Sequence, residues 1–113
     1  MPFIHTKANR PISPEQEKRL AKALGEAIGI LNKSEKWLML QFEGGCRLYF
    51  AGSDQAPQAI VQVQLLGKAQ ADQYERLTGK ITEIIGQELS VAPENVYVVY
   101  GETDTWGWNG GNL

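Results

Sequence analysis

The sequence predicts an α/β domain of the α+β kind, two β-α-β units forming one four-stranded sheet with two helices on one face. Three observations predict it. Two helical stretches with one apolar stripe each are flanked by short apolar runs of strand length. The two halves of the chain align with each other. The length of 113 residues suits one domain, residues 1–113, with a single core and no staples.

The elements follow in order. Pro2–Ala8 reads as a first strand. Ser13-Pro14-Glu15-Gln16 has the form of a capping box, with Ser13 as N-cap and Pro14 at the first helical position. Leu20, Leu24, Ile28 and Leu31 recur at helical spacing, so the first helix is expected to run to about Leu31. Trp37–Phe42 reads as a strand, Glu43-Gly44-Gly45 as a turn and Arg47–Phe50 as a short extra strand. After the loop Gly52–Pro57 comes a strand over Ala59–Leu66, ended by Gly67. Tyr74, Leu77, Ile81, Ile84, Ile85 and Leu89 mark the second helix; Pro93 blocks its continuation, and Asn95–Tyr100 is the last main strand. The tail is Trp106-Gly107-Trp108-Asn109-Gly110-Gly111.

The halves, about 1–50 and 57–113, repeat each other. Arg19-Leu20, Leu24, Glu26 and Ile28-Gly29 match Arg76-Leu77, Ile81, Glu83 and Ile85-Gly86 at a constant offset. Parallel strands need a crossover, here a helix, and right-handed crossovers put both helices on the same sheet face. Yet Trp37-Leu38-Met39-Leu40 and Val96-Tyr97-Val98-Val99 are apolar in both phases of the strand alternation. A second apolar face needs cover, and the simplest cover is another copy of the chain. A homo-oligomer is therefore expected.

Composition excludes several classes. The net charge of −2 offers no basic footprint for nucleic acid or an anionic membrane. Apolar runs are strand-sized, and the first residues do not read as a signal peptide. One cysteine, Cys46, and one histidine, His5, argue against an internal disulfide or a zinc site. The expected setting is cytoplasmic, with release by a route that needs no signal peptide left open.

Pro2 is the candidate catalyst. A small second residue permits removal of Met1, and removal turns Pro2 into a free secondary amine with a basic lone pair. An ordinary α-amino group titrates near pH 8, and burial or a nearby cation lowers it toward the range of a general base.

Pro2 heading a strand, the doubled unit, Lys33 just after the first helix, and Trp106-Gly107-Trp108-Asn109-Gly110 together resemble the macrophage migration inhibitory factor (MIF) family of the tautomerase superfamily. Phe50, Gly52-Ser53, Pro57, Gly67-Lys68 and Val96-Tyr97 extend the likeness nearly end to end. The resemblance implies the tautomerase/MIF fold and a homotrimer whose three sheets enclose a central barrel. It implies cofactor-independent keto–enol tautomerisation of a small aromatic α-keto acid such as phenylpyruvate, with Pro2 as base and no metal. By motif position, Pro2, Lys33 and the backbone N–H of Leu66 come from one subunit, with Trp106 and Trp108 nearby, and Tyr97 from its neighbour. Lys33 would hold carboxylate and enolate and lower the amine's pKa.

The alternatives are a MIF-like cytokine or other protein-binding role with vestigial catalysis, and a superfamily dehalogenase or hydratase. Each residue also has a structural reading: Lys33 as a cation at a helix C-terminus, Tyr97 as core, the tail tryptophans as an interface plug. Departures from the family pattern are informative. Gln58 and Val61 replace the cysteine pair of the vertebrate cytokine, Val99 stands where an asparagine is common, and Trp37 and Leu113 replace a tyrosine and a phenylalanine. Val99 cannot bind a phenol hydroxyl, so phenylpyruvate is the expected preference over its para-hydroxy relative.

Overall fold

Register decides which side of the sheet each residue serves. The computed structural model describes residues 1–113, with β1 (Pro2–Ala8), α1 (Pro14–Ala27), β2 (Met39–Glu43), β3 (Ala59–Leu66), α2 (Ala71–Leu89), β4 (Val96–Thr103), β5 (Gly107–Trp108) and β6 (Gly111–Asn112) in chain order. The main sheet has the order β2-β1-β3-β4. Within each half the strands are parallel, β1 with β2 and β3 with β4, as crossover helices require. The halves join antiparallel through β1 and β3, from Pro2↔Leu65 to Ala8↔Ala59.

Pro2, Ile4, Thr6 and Ala8 of β1 and Ala59, Val61, Val63 and Leu65 of β3 are buried on one face. They meet Leu20, Leu24, Leu77, Ile81 and Ile85 from the two helices in one core. Burying each such aliphatic side chain contributes roughly 1.5–3 kcal/mol. The capping box of α1 forms as expected: Gln16 N–H donates to Ser13 Oγ at 3.1 Å, and Ser13 N–H donates to Gln16 Oε1 at 2.8 Å. Both helical runs finish on a left-handed residue, Asn32 after the 3-10 turn Ile28–Leu31 that follows α1 and Ser90 after α2. The internal repeat therefore extends to how each half reverses its chain.

Two local expectations are corrected, and the tail gains a defined form. Trp37 does not begin a strand: Ser34 Oγ accepts from Lys36 N–H at 3.1 Å and caps a 3-10 turn over Glu35–Trp37, so β2 starts at Met39. Arg47–Phe50 is not a strand, since only Phe50 pairs, in a bridge to Ser53 across a tight turn. The tail is a hairpin, because Asn109 and Gly110 both take positive φ and match the twist of the flanking strands.

The open sheet face is mixed rather than uniformly apolar. Met39, Tyr97 and Val99 are exposed on the outer strands. The central strands contribute His5, Lys7, Gln62 and Gln64 to the same face by strand alternation. His5 and Glu43 lie in contact at 2.5 Å and tie β1 to β2 there.

Candidate active site

The N-terminal end of β1 lies at the mouth of a cavity of about 900 Å³. Its walls come from four places: Met1, Pro2 and Phe3; Lys36 through Leu40; Gln64; and Thr105 through Trp108. Four of the residues singled out from sequence, Pro2, Trp37, Trp106 and Trp108, share it. Trp37 is delivered by the Ser34-capped turn and Trp108 by the Asn109-Gly110 hairpin. Their rings meet edge to face, centroids 5.1 Å apart and planes at 84°. Such a pair adds roughly 0.5–1.5 kcal/mol beyond its buried area and fixes one aromatic wall.

Lys33 and Leu66 do not line this cavity and connect to it only through Met1. Left-handed Asn32 turns the chain after the first helix, and Lys33 Nζ donates to the carbonyl oxygen of Leu66 at 3.1 Å. Gly67, with φ of +85°, ends β3 at that point and lets its own N–H donate to Thr103 O at 2.9 Å. The N–H of Leu66 is already engaged: it donates to the carbonyl oxygen of Met1 at 3.1 Å. Burial, and then the charge of Lys33, hold the α-amino group of Met1 below its ordinary value of 8.0. With Met1 attached, the Pro2 nitrogen is a tertiary amide and has no proton-accepting lone pair.

Tyr97 and Val99 stand apart. Tyr97 lies edge-on to Phe50, centroids 5.0 Å apart, in a separate cleft of about 140 Å³ lined by Leu48, Tyr49, Phe50, Gln58, Ala59, Ile60, Asn95 and Tyr97 itself. It is 57% exposed, and Val99 two residues on is 48% exposed. Pro2 lines the larger cavity and not this cleft. Leu113 is also exposed and lines neither cavity.

Sequence reasoning missed Lys36, Phe3, Met39, Gln64 and Thr105 as lining residues. Lys36 carried a visible signal, being a cation directly before Trp37; the others had none, because their inward position depends on register.

What the arrangement can do is limited by its groups. An amine at Pro2 could accept a proton, Lys33 and a freed Leu66 N–H could hold oxygen anions, and the indoles could stack on a flat substrate. No group of acids, cysteine or histidine that could hold a metal ion occurs in the chain. No helix is long and apolar enough to cross a membrane.

Comparison with known proteins agrees with this fold. The family model described as macrophage migration inhibitory factor (MIF) matches residues 1–113. The "MIF-like protein mif-2" of Caenorhabditis elegans is 26% identical over 115 residues, covering 97% of this chain and 92% of the relative. The crystal structure of Leishmania major MIF2 superposes with a TM-score of 0.94 at 31% identity, covering 100% of this chain and 97% of that one. The macrophage migration inhibitory factor homologue of Prochlorococcus marinus shares the fold, with a TM-score of 0.84 at 24% identity and 97% of each chain covered.

Proposed function

Because this chain belongs to the macrophage migration inhibitory factor family, we propose that it is a cofactor-independent keto–enol tautomerase of phenylpyruvate-like α-keto acids, with the Pro2 nitrogen as general base once Met1 is removed. The observation that carries this reading is Pro2 in an aromatic-walled cavity, with the Lys33–Leu66 pair bonded to Met1 just outside the lining at that end. Both halves of the chemistry are then supplied from one place.

The step balances as a proton shift. The lone pair of Pro2 takes a proton from the substrate carbon beside the ketone. The C–H electrons form the C=C bond, and the carbonyl electrons move to oxygen. The proton then passes from the Pro2 ammonium to that oxygen, giving the enol and restoring the neutral amine. Negative charge gathers on the ketone oxygen in the transition state, where the Lys33 ammonium and the released Leu66 N–H stabilise it. Positioned base catalysis of this kind contributes about 10²–10⁴-fold.

The working unit in this reading is a homotrimer. The exposed Met39, Tyr97 and Val99 of the open face would then be covered by neighbouring copies, and Tyr97 of one copy would close the cavity headed by Pro2 of another. The deciding experiment is the phenylpyruvate assay of a chain beginning at Pro2 against its Pro2→Gly variant. Loss of turnover supports the base; equal turnover removes it.

The second reading is a protein-binding role, and N-terminal processing decides between the two. With Met1 present, Pro2 has no basic lone pair and Leu66 no free N–H, so a chain that keeps Met1 has an unusable site. Intact-mass measurement of the cellular protein separates the two roles.

A further inference from the structure

Lys36 is the one charged side chain among the lining residues of the large cavity, and no acid pairs with it. Its Nζ stands 5.4 Å from the centroid of the Trp37 ring, which holds the ammonium over the aromatic wall. The neighbouring acid, Glu35, is turned the other way. Its side chain lies against α1 at Gly25, where an added Cβ would come within 2.6 Å of the Glu35 Cδ. Gly25 is buried, and its missing side chain leaves room for that carboxylate away from the cavity. A glycine in the helix thereby keeps Lys36 without a counter-charge.

The cavity is thus flanked by two cations. Lys33 lies beside Leu66 and Met1 at the Pro2 end, and Lys36 lies over Trp37, with the Trp37–Trp108 wall beside it. A monoacid such as phenylpyruvate uses one of them. We infer that Lys36 is a specificity-determining residue that recognises a second anionic group, so that the preferred ligands are α-keto acids carrying another carboxylate on the far side of an apolar or aromatic middle. This rests on the tautomerase reading for the α-keto acid end, whereas the preference for a second charge rests on Lys36 alone.

The test separates the two. Quenching of tryptophan fluorescence, from Trp37, Trp106 and Trp108, reports binding of phenylpyruvate and of meta- and para-carboxyphenylpyruvate to a chain beginning at Pro2, whether or not turnover occurs. At low salt at least one carboxylated compound is expected to bind about fivefold more tightly than phenylpyruvate, the scale of one favourable exposed ion pair. That ratio should fall to about one in Lys36→Gln, invert in Lys36→Glu, persist in Lys36→Arg and shrink with added salt. A wild-type ratio at or below one for both compounds overturns the inference, as does a ratio that Lys36→Gln leaves unchanged. Absence of phenylpyruvate turnover with the binding ratio intact would instead count against the enzymatic reading and leave Lys36 standing.

Discussion

Leu66 donates its backbone N–H to the carbonyl oxygen of Met1 at 3.1 Å, and its own carbonyl accepts from Lys33 Nζ at the same distance. Met1 therefore does two things at once. It makes the Pro2 nitrogen an amide, and it occupies the N–H that the proposed reaction needs for an oxygen anion. A chain beginning at Pro2 should turn over phenylpyruvate at least about 10²–10⁴-fold faster than the same chain with Met1 retained, the range typical of a positioned base. Intact mass and enol absorbance on the two preparations check this. Equal rates would mean that neither group takes part.

Lys33 should add to the lowering of whatever amine ends the chain. In the Met1 form, burial is the larger cause of the lowered amine and Lys33 the smaller. Lys33→Met should therefore raise the amine only part of the way back to 8.0, as read from the pH dependence of its reductive methylation. The sign for stability follows. Between the lowered folded value and 8.0 the unfolded chain binds more protons, so stability rises with pH across that window. In Lys33→Met that rise should flatten. In a chain beginning at Pro2, the acidic limb of kcat/KM should move to higher pH in the same variant. An unmoved limb would place Lys33 outside the electrostatics of the base.

In the proposed trimer, Val99 of a neighbouring copy would present methyl groups where a phenol hydroxyl needs an acceptor. Leaving a hydroxyl unpaired on burial costs about 1–3 kcal/mol. Phenylpyruvate should accordingly be used at least about fivefold more efficiently than its para-hydroxy relative. Val99→Asn should narrow that gap by improving the hydroxylated substrate. Equal kcat/KM for the two substrates in the unaltered chain contradicts the assignment.

Much of this was legible because local rules and tertiary needs agreed. Ser13 and Gln16 announced the first helix, and the spacing of Leu20, Leu24, Leu77, Ile81 and Ile85 announced the core. The run starting at Trp37 misled because apolar composition was read as strand while Ser34, three residues earlier, was capping a turn. Asn109-Gly110 carried a hairpin signature that the aromatic residues around it obscured. The open face looked apolar from its outer strands, since the polar positions His5, Gln62 and Gln64 join it only through the antiparallel register of β1 and β3. The contact between Lys33 and Leu66 joins residues 33 positions apart, and no periodicity encodes it; only family resemblance pointed there.

The separation of Tyr97 from Pro2 leads to the strictest test of the shared site. Within one chain Tyr97 packs on Phe50 and lines a different cleft, so it can serve a Pro2-headed cavity only by reaching another copy. In chains beginning at the second residue, Pro2→Gly and Tyr97→Ala should each form trimers with strongly reduced turnover. Unfolded together and refolded as a 1:1 mixture, they should regain activity. In a closed ring each site combines one copy's Pro2 with its neighbour's Tyr97, so random assembly makes about a quarter of the sites whole. Recovery near that level, with a trimeric mass by light scattering, is the expected outcome. Failure to recover despite mixed trimers would show that Tyr97 acts within its own chain or not at all.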